Sequence, residues 1–191
     1  MLISSEPVLH LVVCAAPPAA QIDELIRRAQ ADAWTVCVIP TSAAASWLDA
    51  DALEVLTGRP VRARLRRPDE PRLPPADAVV VAPATFNTIN KCAAGINDNP
   101  ALGVVNEAIG LELPVVVAPY VKPTLAAHPA FARALRDLAD YGFTVLGTNA
   151  IAPVGGDDSV VWRPVLDALN AVRTGTGTSK PTGNELMVRE L

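Results

Sequence analysis

Aromatic side chains make up only 4% of this 191-residue chain, so its core has to be built from alanine, valine and leucine rather than from large rings. That composition suits strands and helices packed closely in alternation. Cysteine is almost as scarce. Cys14, Cys37 and Cys92 lie far apart and form no Cys-x-x-Cys pair, which argues against a zinc site or a disulfide framework and favours a reducing compartment. No apolar run approaches the length of a transmembrane helix, and no basic stretch leads into a long apolar one. A soluble, cytoplasmic protein with no membrane partner is the expectation. Positive charge is not in excess either: 16 Lys and Arg stand against 20 Asp and Glu, for a net charge of -4. Nucleic acid is thereby disfavoured as the principal partner, because neutralising phosphates needs a basic face.

What is present in quantity is hydrophobic side chain, 50% of all residues. A chain of this length reads as one domain able to bury about 70% of its unfolded surface. Residues 8–14 form an apolar run that reads as a buried strand, and Pro17-Pro18 then opens a helix with Ile22, Leu25, Ile26 and Ala29 on one face. Residues 34–39 read as a second strand. Ser42 is expected to cap a helix carrying Ala45, Leu48, Leu53 and Leu56, with Gly58 as its stop. Residues 61–66 alternate Val-Arg-Ala-Arg-Leu-Arg, the pattern of an edge strand with one solvated basic face. A proline-rich loop, 68–75, leads to the apolar strand 78–82. Helices over 101–109 and 129–141, strands over 115–118 and 143–146, and a last helix with Pro164 at its first position complete the pattern. Strand and helix in alternation predict a doubly wound α/β fold, a Rossmann-like three-layer sandwich with a largely parallel central sheet. Residues 1–173 form the single domain. Thr, Gly, Ser and Lys dominate from 174 onward, and 174–191 reads as a flexible tail.

The segment 83–99, Pro-Ala-Thr-Phe-Asn-Thr-Ile-Asn-Lys-Cys-Ala-Ala-Gly-Ile-Asn-Asp-Asn, joins that central strand to an amide-rich helix start. Ligands of open α/β sheets bind outside the carboxyl ends of the strands. Thr85, Asn87 and Thr88 are therefore placed where short polar side chains and free backbone N–H groups can meet a planar polar ligand or a phosphate. A plain helix start capped by Thr85 or Asn87 is the competing reading.

The same segment closely resembles the Pro-Ala-Ser-Ala-Asn-Thr motif, followed by Ile-x-Lys-x-Ala-x-Gly-Ile-x-Asp-Asn, of the homo-oligomeric flavin-containing cysteine decarboxylase family. Phosphopantothenoylcysteine decarboxylases and the peptide cysteine decarboxylases of lantibiotic pathways belong to it. Thr41-x-x-Ala44-x-x-Trp47-Leu48, the strand 114–119 and the His128-Pro129-Ala130 step also resemble family features, so the likeness runs over roughly residues 8 to 147. The resemblance implies bound FMN, contacted by Pro83, Ala84, Thr85, Asn87 and Thr88, with Thr41 near its phosphate and Ala16 and Ala118 at the ends of neighbouring strands. It also implies a homotrimer or a multiple of trimers.

Several family positions differ here. Where relatives place Gly-Ser after the first strand, this chain has Ala16-Pro17, and proline brings no N–H. The histidine of a His-Ile-x-Leu step is absent from Asp69-Glu70-Pro71-Arg72-Leu73. The Pro-x-Met-Asn motif becomes Pro119-Tyr120-Val121-Lys122, which makes Lys122 a candidate clamp for an anionic substrate group, acting as a point charge. Gly155-Gly156-Asp157-Asp158 stands in place of a late cysteine loop. These changes predict a flavin-dependent enzyme on a small anionic metabolite that is not an active cysteine decarboxylase. A non-catalytic flavin-binding interaction subunit and a flavin prenyltransferase-like enzyme are the alternatives. His10 reads as a core residue and His128 as a helix-start residue, neither as a catalytic group. Arg62, Arg64 and Arg66 read as a solvated stripe, and Asp157-Asp158 as a cap rather than a metal site.

Overall fold

Five parallel strands make the centre of the protein: β1 (Val8–Val13), β2 (Thr35–Pro40), β3 (Ala78–Ala84), β4 (Val115–Pro119) and β5 (Thr144–Val145), in the order β2-β1-β3-β4-β5. They come from a computed structural model that describes residues 6–154 and 158–173. Every residue of β3 and of β4 is buried, as expected of parallel strands covered on both faces.

Alternate strand residues feed two cores. Leu9, Leu11, Val13, Val36, Val38, Val80 and Val116 point to one face, where α1 (Ile22–Ala31), α3 (Ala50–Thr57) and α8 (Arg163–Arg173) lay Ile22, Leu25, Ile26, Leu53, Val165 and Leu169 against them. Val12, Cys14, Ile39, Val79, Val81 and Val117 point to the other face. There α4 (Phe86–Ala93), α5 (Pro100–Gly110) and α7 (Pro129–Asp140) supply Ile89, Leu102, Val105, Phe131 and Leu138. Each such aliphatic side chain contributes about 1.5 to 3 kcal/mol on burial, so the three-layer sandwich predicted from the alternation is the one observed.

Three local expectations are corrected. The helix expected to run from Ser42 to Leu56 is two helices, α2 (Ser42–Ala45) and α3. Thr41 rather than Ser42 caps the first through the Ala44 N–H, and Asp49 caps the second through the Ala52 N–H. Side-chain acceptors of this kind end one helix and begin another by satisfying otherwise orphaned donors. The last strand is only Thr144–Val145. Residues 61–66 form no strand at all. Arg62 and Arg64 both turn to Glu70, and Arg66 donates to the carbonyls of Arg67, Pro68 and Glu70. The alternation there reflects arginines gathered on one carboxylate, not a sheet face.

Arg64, with the Arg67 N–H, holds the Glu70 carboxyl down at about 2. A folded value below the ordinary one means that this tie stabilises the loop above the usual carboxylate range and is lost as pH falls through about 2. The Arg62 and Arg64 guanidinium NMR signals should lose their dispersion with a midpoint at about pH 2, and should lack that transition in Glu70→Gln. A midpoint at the ordinary carboxylate value would mean that the tie is absent.

Candidate functional site

Strand order reverses between β1 and β3, because β1 is followed in space by β2 on one side and by β3 on the other. In open sheets of this 2-1-3-4-5 order, the crevice outside the carboxyl ends at that point is where ligands bind. Two turns line it here. After β1 comes Cys14-Ala15-Ala16, leading into a 3-10 turn over Pro17–Gln21. After β3 comes Thr85, leading into α4. They are tied together: the Cys14 N–H donates to the Pro83 carbonyl at 3.2 Å, and the Cys14 thiol donates to the Thr88 hydroxyl oxygen at 3.3 Å. The end of β3 is held from the other side by the Tyr120 N–H on the Ala84 carbonyl at 2.9 Å.

The start of α4, like those of α1 and α6 (Pro123–Ala126), has no side-chain cap, whereas α2, α3, α5 and α7 each have one. Asp49, Asn99 and His128 each accept a hydrogen bond from the first turn of α3, α5 and α7, respectively. Thr85 occupies the same position in α4, yet makes no side-chain cap. Its hydroxyl instead donates to the Thr88 hydroxyl at 3.3 Å. The opening N–H groups of α4 are thus left without a side-chain acceptor, and they carry the positive end of the helix dipole. Asn87 is exposed beside them. Such a start can receive a planar polar or anionic group, and Thr85 itself does not cap α4.

The other predicted residues are distributed unevenly. Thr41 ends β2 and its hydroxyl oxygen accepts from the Ala44 N–H at 3.3 Å. Pro83 and Ala84 are buried in the end of β3. Ala16 lies in the first turn, but its N–H is turned back onto the Cys14 carbonyl at 2.9 Å. Ala118 is fully buried inside β4, in the core under α1 and α8, so it offers the crevice no side-chain atom. Lys122 is exposed at the start of α6 (Pro123–Ala126).

One residue that the sequence reading passed over holds the Lys122 loop in place. Asn149 accepts the Val121 N–H at 2.9 Å and donates to the Val121 carbonyl at 3.2 Å. Its backbone has φ 60, a conformation that asparagine tolerates better than most residues. An asparagine just beyond the last strand was the available signal.

Both histidines have partners within the fold. Burial pushes His10 below the ordinary imidazole range, and its Nε2 donates to the Pro74 carbonyl at 3.0 Å. His128 accepts the Ala130 N–H on Nδ1 at 3.1 Å and stands edge-on to Phe86, 5.7 Å between ring centroids. Burial raises the thiols of Cys14 and Cys37 and pushes Cys92 up to about 12. All three cysteines are free, buried and neutral, hence poor nucleophiles. Asp158 is exposed and gives its backbone carbonyl to Gln21, while Gly155, Gly156 and Asp157 lie outside the described residues. Among the described residues no group of three His, Cys, Asp or Glu side chains is placed to hold a metal ion, and no helix is long and apolar enough to cross a membrane. A separate cavity of about 370 Å³ lies between α1 and α3, lined by Ile22, Arg27, Trp47, Leu48 and Leu56 among others.

A family model described as Flavoprotein matches residues 4–174. The coenzyme A biosynthesis bifunctional protein CoaBC of Mycobacterium tuberculosis is 32% identical over 143 residues, covering 72% of this chain and 33% of that protein. The chain spans between 23% and 33% of the length of the CoaBC proteins it matches. Among solved structures, the FMN-dependent cysteine decarboxylase TvaF from thioviridamide biosynthesis superposes with a TM-score of 0.70 at 24% identity, covering 88% of this chain and 99% of that one. The FMN binding protein AtHal3 gives 0.69 at 19%, covering 91% and 100%. These structural likenesses bear out the predicted fold.

Proposed function

The chain belongs to the Flavoprotein family, and from that premise we propose that it binds FMN in the crevice between β1 and β3 and acts there on a small anionic metabolite, without being a cysteine decarboxylase. The observation that carries this reading is the uncapped start of α4, with Asn87 exposed beside it at the point where strand order reverses. Asn87 has both an amide donor and a carbonyl acceptor to offer the polar edge of a flavin ring. Pro83, Ala84, Thr85 and Thr88 form the wall behind it, and Thr41 stands at the end of β2 for the phosphate. The first turn contributes less, since the Ala16 N–H is already taken and Pro17 and Pro18 have none. Bound FMN supplies the redox chemistry, and the protein supplies orientation. Lys122, held by the Asn149 grip on its neighbour, sits at the rim as a fixed positive charge for a carboxylate or phosphate. Assembly as a homotrimer or a multiple of trimers and a cytoplasmic location complete the proposal, the latter supported by three reduced, buried cysteines.

Titration with FMN tests it, followed by flavin absorbance and by light scattering of the same sample. Uptake of FMN is expected, at a particle mass near three times or a higher multiple of the 20.0 kDa chain. Asn87→Ala should weaken binding by about 1 to 3 kcal/mol, the cost of leaving a ligand group unpaired in a desolvated site. Protein that stays colourless in excess FMN sinks the reading. Loss of the base from the 69–73 loop supports one further reading, a flavin-binding subunit without turnover. Failure of NADPH to bleach the bound flavin would favour that reading.

A further inference from the structure

We propose that Thr88 serves this crevice from behind, as a positioning residue: together with Cys14 it clamps the first turn of α4 to the end of β1, and it does not touch the bound ligand. The proposal rests on the flavin reading above and assigns different roles to neighbouring residues of one motif. Among the described residues Thr88 is the buried polar side chain, 4% exposed. A threonine oxygen can accept two hydrogen bonds. Here it takes one from the Cys14 thiol and one from the Thr85 hydroxyl, each at 3.3 Å. Its acceptor capacity is filled inside the protein.

The two donors come from different turns, Cys14 from the end of β1 and Thr85 from the end of β3, so the Thr88 hydroxyl is where the two walls of the crevice meet. Burial raises the Cys14 thiol and so keeps its proton in place for donation. Asn87, one residue earlier along a helix of 3.6 residues per turn, faces outward and is exposed. Contact with ligand thus falls to Asn87, and the placing of Asn87 falls to Thr88. In this arrangement the Thr85 hydroxyl donates to Thr88 and makes no cap on α4.

The test compares FMN affinity, read by flavin fluorescence, for Thr88→Val, Cys14→Val, the double variant and Thr88→Ser. Thr88→Val is close in shape and Cys14→Val slightly larger than the residue it replaces, and each removes one partner of the clamp. Each should weaken FMN by about 3- to 10-fold, and the double variant by no more than the larger single effect, because residues acting through one contact are not additive. Thr88→Ser should stay within about 2-fold of the unmodified protein, since it keeps the hydroxyl. Wild-type affinity in both valine variants overturns the proposal, and so do independent, multiplying losses. Hydrogen exchange on the ligand-free protein gives a second readout. Peptides covering 86–93 should exchange faster in both valine variants, while those from α5 and α7 stay unchanged as a control for folding. Should the unmodified protein take up no FMN, the flavin reading fails by itself, and unchanged exchange over 86–93 would then overturn the clamp.

Discussion

Given phosphopantothenoylcysteine, or a peptide ending in cysteine, the protein should release carbon dioxide at less than about a hundredth of the rate a positioned base would sustain, since general base help is worth about 10²- to 10⁴-fold. The loop 69–73, where the family resemblance implies a histidine, offers Asp69 and Glu70. Glu70 is committed to Arg62 and Arg64 and held at about 2, far too acidic to accept a proton at neutral pH. Neither histidine fills the gap, because His10 is bonded to Pro74 within the sheet and His128 is spent on the start of α7. On the proposed reading Lys122 takes the place of the amide that the family motif implies, so it would attract an anion without orienting it by directed hydrogen bonds. Lys122→Ala should weaken binding of anionic ligands to the FMN-loaded protein. Headspace carbon dioxide and thiol product formation are the measurements, and robust turnover of either substrate would mean that a base reaches the flavin from elsewhere in the assembly.

Replacing Trp162 by alanine should cost about 3 to 5 kcal/mol of stability. The indole is the largest of the fully buried side chains, 0% exposed, and packs in the core with Ile151, Val165 and Leu169. Its Nε1 donates to the Gln21 carbonyl at 3.2 Å. The side chain of Gln21 in turn accepts the Val160 N–H at 2.9 Å. One ring therefore seats α8 on the sheet and fastens the segment before it to the turn that follows β1. Urea unfolding should show a lower midpoint at unchanged slope, and Trp162→Phe should recover most of the loss. A change below about 1 kcal/mol, the scale of a surface substitution, would mean that α8 is not part of the cooperative unit.

The strands were legible wherever burial on both faces left an unbroken apolar run, as in Val79, Val80 and Val81, and the helices wherever Ile22, Leu25 and Ile26 or Phe131, Ala134 and Leu138 fell on one face. Those patterns are local and carry their own period. Residues 61–66 misled for the opposite reason: their period of two comes from a carboxylate at Glu70, which the chain reaches only by folding back. The break at Asp49 was hidden because apolar spacing continues through it while the backbone does not. At the crevice, Thr85, Asn87 and Thr88 stood out together by residue type. Their separate parts depend on Cys14, seventy-odd residues earlier, and on which side of α4 each side chain leaves, neither of which spacing reveals. Asn149 went unread because its partner, Val121, is a backbone.

Among the described residues both margins of the sheet are partly covered. Beyond the two residues of β5, the outer side of β4 is finished by single bonds, from the Leu146 N–H to Val117 and from the Asn149 N–H to Pro119. On the far side, the arginine-rich loop lies against β2 and its Arg62 N–H takes the Val38 carbonyl. Short edges and cationic cover are how sheets resist joining end to end with another chain. Along these stretches another strand would have to displace bonds already made, so the covered edges disfavour extension of the sheet by a further chain.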